Sequence, residues 1–181
     1  MAGARQTFDG SYDDAEVQER LRKLDEAAGD LTPAMKNIGE YLVQSTEDNF
    51  DRQTDPDGRP WQDVKPATRA RKKHPKILTE SHHLRGSINY RAGQTSVAVG
   101  TNVPYAAAHQ FGFTGQVSIP AHTRLIKTAF GQPLRHPVWA RIEPYTLHQD
   151  LPARPFLGIG DDDETEIVGI VEDHMAMALK K

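Results

Sequence analysis

The eight histidines are the side chains of this 181-residue chain best suited to hold a metal ion or move a proton near neutral pH. His82 and His83 are adjacent, so a helix would point them about 100° apart and a strand would send them to opposite faces. Neither arrangement makes a ligand pair. His109 follows three alanines and precedes Gln110-Phe111-Gly112, a setting in which a histidine is expected to hydrogen-bond the neighbouring backbone. Asp161, Asp162, Asp163 and Glu164 form a dense run of carboxylates, but acids favour the positive end of a helix, so the run reads as a helix start rather than a metal site. There is no HExxH, no Walker loop, no GxSxG and no nucleophile with a base at an informative spacing. The absence of cysteine excludes disulfides, thiolate metal sites and a cysteine nucleophile. A metal-dependent nuclease or hydrolase using His82, His83 or His109 is thus the weak rival, and the expectation is a protein that is not an enzyme and carries no cofactor.

Binding chemistry has one concentrated signal. Arg69, Arg71, Lys72, Lys73 and Lys76 crowd into a short stretch after Pro66. Like charges this close repel and stay solvated, which predicts a mobile loop or exposed turn. The functional alternative is contact with an acidic partner or a DNA backbone. The net charge of −3 argues against a dedicated nucleic-acid binder, so DNA contact is expected to be local and non-specific at most. No apolar run approaches the roughly 18 residues of a transmembrane helix, and no signal-peptide pattern opens the chain. The expectation is a protein made and used in a cytoplasm, or in something assembled there, without a membrane partner.

The elements that must position these residues are organised around residues 97–112. Val97-Ala98-Val99-Gly100 reads as a strand with a tight exit at Gly100, Pro104 opens a helical turn, and Gly112 stops it after Phe111. Tyr105, His109 and Phe111 are expected to be packing residues on this element. The length suits one ordinary domain, and the hydrophobic fraction of 37% with 26% charged residues predicts a small core with extended appendages.

Residues 1–12 are polar and contain glycine, which predicts a flexible arm ahead of a single domain over residues 13–181. Val17, Leu21, Leu24 and Ala28 give the next segment a helical stripe closed by Gly29, and Met35, Ile38, Leu42 and Phe50 mark a second helix capped by Thr32. The turn-rich Asp55-Pro56-Asp57-Gly58-Arg59-Pro60-Trp61 ends on an aromatic anchor, Trp61. Residues 77–88 read as a short helix turning into a strand, and residues 87–91 and 95–101 as an antiparallel pair. Residues 124–129 and 138–145 flank Gly131-Gln132-Pro133 as a long hairpin. The prolines of Pro152-Ala153-Arg154-Pro155 make that segment an edge or a wrap over the sheet, and a final helix follows from Asp161. The fold class is α+β: a small, mostly antiparallel sheet between an N-terminal helical hairpin and a C-terminal helix.

Seven blocks in order resemble the phage virion morphogenesis family, which includes tail completion proteins of contractile-tailed phages and their Mu-like equivalent. They are Phe50 with the Asp55-to-Trp61 turn, Lys65-Pro66-Ala67-Thr68-Arg69, Ile77-Leu78-Thr79, Leu84-Arg85-Gly86-Ser87-Ile88, Val99-Gly100-Thr101, Tyr105-Ala106 with His109-Gln110-Phe111-Gly112, and Pro152-Ala153-Arg154-Pro155-Phe156-Leu157-Gly158. The resemblance implies a late structural protein of the virion neck, assembled in the host cytoplasm, that completes the tail and joins it to the head as a ring. It implies six copies, with twelve as the alternative, and as partners other head-tail connector or tail terminator proteins. Tail terminator and capsid-assembly factor are the alternatives within structural proteins.

The family pattern carries a single Ile-Pro-Ala-Arg-Pro-Phe-Leu-Gly segment, whereas here Ile119-Pro120-Ala121 breaks off and Leu151-Pro152-Ala153 resumes it. A hairpin inserted over residues 122–149 accounts for the break. Its apolar side chains, including Phe130, Trp139, Ile142 and Tyr145, are too many for an isolated ribbon to hide, which marks them with Arg69, Arg71, Lys72 and Lys73 as interface candidates.

Overall fold

Exposed Glu–Arg pairs at helical spacing line the first helix of the protein, α1 (Ala15–Gly29), where Arg20 meets Glu16 at 2.6 Å and Arg22 meets Glu26 at 2.6 Å. The computed structural model describes residues 15–129 and 131–180, so the expected arm at residues 1–12 and the interface candidate Phe130 lie outside the described residues. Asp30 Oδ1 then accepts the Thr32 N–H at 3.0 Å. Thr32 is therefore the first residue of α2 (Thr32–Arg52) rather than its cap, with Pro33 in the first turn where its missing N–H costs nothing.

Met35, Ile38, Leu42, Thr46, Asn49 and Phe50 recur at helical spacing and are buried along one face of α2. Each large apolar side chain buried here contributes about 1.5–3 kcal/mol. The N-terminal part of that face packs on β1 (Asn89–Ala92) and β2 (Val97–Gly100) and on the last helix, α5 (Asp161–Lys180). Gly39 is what lets the strands approach: a Cβ there would lie inside the Tyr90 ring. The C-terminal part of the face, at Phe50, holds a second cluster with Trp61, Ile77, Leu84, Ile88, Val103 and Phe156.

Between them run the short helix α3 (Pro66–Arg69), a 3-10 turn (Arg85–Ser87) and α4 (Ala106–Phe111). The expected short helix over residues 77–88 is instead a series of turns, with Leu78 and His82 at positive φ. Their left-handed backbone breaks any helical run, and the loop closes through Thr79 Oγ1, which donates to the Lys76 carbonyl at 3.0 Å.

The class is mixed helix and strand, as read from the sequence, with small antiparallel sheets between N-terminal helices and a C-terminal helix. Among the described residues the strands form separate two-stranded ribbons: β1 with β2, β3 (Phe113–Ile119) with β6 (Tyr145–Leu151), and β4 (His122–Ala129) with β5 (Gln132–Ile142). The hairpin is thus longer than residues 122–149. β3 and β6 pair without a break from Phe113↔Leu151 to Ile119↔Tyr145, and β4 and β5 continue from His122↔Ile142. Pro120 and Pro144 fall at the joint between the two tiers, where a residue without an N–H interrupts the ladder.

Candidate functional site

The segment 152–158 cannot satisfy its backbone in a strand ladder because two of its residues are prolines, so side chains from distant blocks do so instead. Gln110 Oε1 accepts the N–H groups of Phe156 at 3.0 Å and Leu157 at 3.1 Å, and Gln110 Nε2 donates to the Leu157 carbonyl at 2.7 Å. Trp61 Nε1 donates to the Pro155 carbonyl at 2.7 Å, and Asn49 Nδ2 to the Phe156 carbonyl at 3.3 Å. Arg154, only 4% exposed, donates from Nε to the Gln62 carbonyl at 2.8 Å and from Nη2 to the Asp63 carbonyl at 3.2 Å. Its own N–H donates to the His109 carbonyl at 2.7 Å. Phe156 is fully buried against Phe50, with ring centroids 5.2 Å apart, and Phe50 meets Trp61 edge-on at 5.5 Å.

The strap is therefore a fixed seat from which the ribbon emerges. Gly112, at φ +77°, sits at the root of β3, where a Cβ would crowd the Ala153 nitrogen at 3.0 Å and the Leu151 carbonyl at 3.1 Å. His109 is half-buried beside this seat. Its Nδ1 is buried without a hydrogen-bond partner, so the expected side-chain bond to the backbone is not made there. Burial, and secondarily the charge of Arg154, pushes its pKa down, which keeps the ring neutral.

Several other candidate residues differ from expectation. Phe111 is 78% exposed at the end of α4 and Tyr105 is 46% exposed, so neither is a core residue, although Tyr105 stacks edge-on with His109 at 5.9 Å. A six-residue helix has one buried face, and Ala106 occupies it. Gly100 ends β2 opposite Asn89 with no positive φ and open space at its Cβ position, so glycine is not required for the exit. Trp61, Gly112, Pro155 and Phe156 come together at the strap, Gly100 and Phe111 line a shallow groove beside it with Phe156 and Leu157, and Tyr105 does not join them.

The basic stretch is less free than expected. Arg69 pairs with Asp63, Lys76 with Asp51 at 2.8 Å, and Lys72 with Glu80 at 3.1 Å, the Lys72 side chain being only 14% exposed. Glu80 also accepts the Lys73 N–H at 2.8 Å, so a carboxylate from the next turn gathers the loop. Arg71 and Lys73 project into solvent. His82 stacks edge-on with His74 at 5.0 Å, and among the described residues no group of histidines and carboxylates could hold a metal ion.

At the N-terminus of α5, Asp163 is buried: Oδ2 accepts the Gly160 N–H at 2.9 Å and Oδ1 accepts from Ser45 Oγ at 2.7 Å. The first is half of a capping box, so the acidic run does start the helix. Burial first, then the hydrogen bond and charge of Asp163, pushes the Tyr41 hydroxyl up to about 12.

The ribbon has the opposite character. Trp139 is 68%, Val138 55%, Tyr145 48% and Leu147 48% exposed, while Ile142 is half-buried. β3 to β6 pack chiefly on each other, tied to the body at the base by Lys65 Nζ and Asp150 Oδ2 at 3.8 Å. The ribbon thus presents an aromatic-rich, uncovered surface on a rigid seat.

The model of the phage virion morphogenesis family matches residues 12–176. The chain belongs to that family. It is 28% identical over 166 residues to Mu-like prophage FluMu G protein 2 of Haemophilus influenzae, covering 91% of this chain and 93% of the relative. It is 30% identical over 146 residues to "Putative capsid assembly protein G" of Escherichia phage Mu, covering 77% of this chain and 76% of that protein. No solved structure matches. Membership makes this a phage structural or assembly protein, from a family of virion morphogenesis rather than catalysis. Gln110 and Arg154, which hold the strap, stand inside the motif blocks; a polar side chain flanked by apolar and proline residues is the local signal that marks them.

Proposed function

We propose that this protein completes the phage tail and joins it to the head as a homo-oligomeric ring in the virion neck, in contact with head-tail connector or tail terminator proteins. The observation that carries the reading is the ribbon, which leaves Val138, Trp139, Tyr145 and Leu147 uncovered on an arm seated in a rigid strap. A subunit built this way gains stability from neighbours, and closed rings are the form that repeated identical contacts take when the rotation closes. Family membership supports a place in the virion.

Capsid assembly is the second reading, favoured by the name of the phage Mu relative. Electron microscopy of lysates from a phage lacking the gene separates them. Filled heads beside unattached tails are the expected result; missing or aberrant heads would replace the neck reading with capsid assembly.

A further inference from the structure

The uncovered ribbon needs an occupant for its exposed face, and the body of the same chain offers one of opposite charge. Residues 122–142, the outer tier, contain Arg124, Lys127, Arg135 and Arg141 and no aspartate or glutamate. Arg141 meets Glu143 at 3.5 Å, while Arg124, Lys127 and Arg135 have no carboxylate partner among the described residues. Leu125 lies opposite Trp139 and Thr123 opposite Arg141, and cross-strand partners share a face, so one side of the tier carries an exposed indole beside a cation.

The body carries a groove of about 700 Å³ between the C-terminal half of α2, the turn at residues 54–59 and the start of α5. Asp48, Asp55, Asp57, Asp161, Asp162 and Asp163 line it, against the two guanidinium groups of Arg52 and Arg59. No residue of the chain's own ribbon lines it. Asp48 and Asp57, 43% and 54% exposed, pair with Arg52 at 4.0 Å and Arg59 at 2.9 Å, but carboxylates outnumber guanidinium groups so the face stays negative and accessible, and Tyr41 with Pro56 gives it an aromatic and aliphatic edge. The groove is also firmly built: Gly160 leaves no room for a Cβ beside the Pro56 carbonyl, and Asp163 ties α5 to Ser45 of α2.

We infer that the outer tier of one subunit inserts into the acidic groove of a second copy of this chain, Trp139 on one face of the tier against the groove lining and Arg124 on the other face, with Lys127 and Arg135, against its carboxylates. Two different surfaces meet, so the contact is head to tail and propagates around a ring instead of stopping at a dimer. The inference rests on the ring reading and adds to it which surfaces touch.

Native mass measurement on purified full-length protein tests it, with thermal melting to confirm that each variant is folded. An arm variant (Arg124→Glu, Lys127→Glu, Arg135→Glu) and a groove variant (Asp48→Lys, Asp57→Lys, Asp162→Lys) should each be monomeric where the wild type assembles. An equimolar mixture of the two should assemble again as alternating copies, because the native arm of one matches the native groove of the other and the reversed arm matches the reversed groove. The protein carrying all six changes should regain assembly, and Trp139→Ala should raise the assembly concentration about tenfold or more. Where a triple variant fails to fold, Arg135→Glu and Asp57→Lys alone carry the same comparison.

A wild-type ring that both variants still form would overturn the arm-groove contact and leave the ring reading standing. A wild type that stays monomeric, alone and on purified tails, would overturn both. An arm variant that assembles normally but loses salt-sensitive retention on DNA would assign the arm to nucleic acid and overturn the contact.

Discussion

Gln110 grips both backbone polar groups of Leu157, accepting its N–H at 3.1 Å and donating to its carbonyl at 2.7 Å. The same side-chain oxygen also takes the Phe156 N–H, so one residue of α4 replaces the strand that the strap lacks. Gln110→Met keeps the volume and removes all three bonds. The expected cost is about 1–3 kcal/mol for backbone groups left unsatisfied, read from the denaturant midpoint, and unchanged stability would show that water substitutes freely.

Gly39→Ala sets two effects against each other. Alanine is favoured over glycine in a helix by about 1 kcal/mol, but the new methyl lies inside the Tyr90 ring, and overpacking costs about 1–3 kcal/mol or more. Destabilisation is expected in urea unfolding. A gain in stability would mean that β1 shifts away from α2 at no cost.

Phe111→Ala is expected to change stability by less than about 0.5 kcal/mol, because the ring is 78% exposed. If the melting temperature holds while virion assembly fails, Phe111 is a contact residue. A loss of about 3–5 kcal/mol, the range for a buried phenylalanine, would contradict the exposure found here.

In the basic stretch, Arg71→Gln with Lys73→Gln should leave the melting temperature nearly unchanged, since both side chains face solvent. Lys72→Gln should lower it measurably, because that side chain is largely covered and pairs with Glu80. Equal effects from the two variants would return the whole stretch to solvent.

Acid should weaken the fold through His109. Its folded pKa lies below the ordinary value of 6.5, so the stability linked to it is complete above that value and is lost as pH falls toward the folded pKa, where the unfolded chain binds the proton first. Asp51, Asp63 and Glu80, all held below the usual carboxylate range chiefly by hydrogen bonds, continue the loss at lower pH. Melting of His109→Gln between about pH 8 and about pH 5.5 should show a shallower decline than wild type. Parallel curves would remove His109 from the pH response.

What the sequence made legible follows from range. Met35, Ile38 and Leu42 announce their shared face because helical periodicity is local, and Asp161 to Glu164 announce a helix start for the same reason. The strap bonds join residues 45 to 107 positions apart, which no periodicity records. The root of the ribbon was hidden because Pro120 and Pro144 look like ends of strands, although the ladder runs on either side of them. Phe111 misled because an aromatic before a glycine has the same local pattern whether it faces a core or a neighbour.

The most direct measurement replaces residues 114–150 with a two-residue turn and weighs the native protein. Phe113 and Leu151 face each other at the root, so the short turn closes the chain there. The expected product is a folded, cooperatively melting monomer under conditions where the full chain forms a ring. A shortened protein that still forms the ring, or one that no longer folds, would contradict the assignment of the ribbon to assembly.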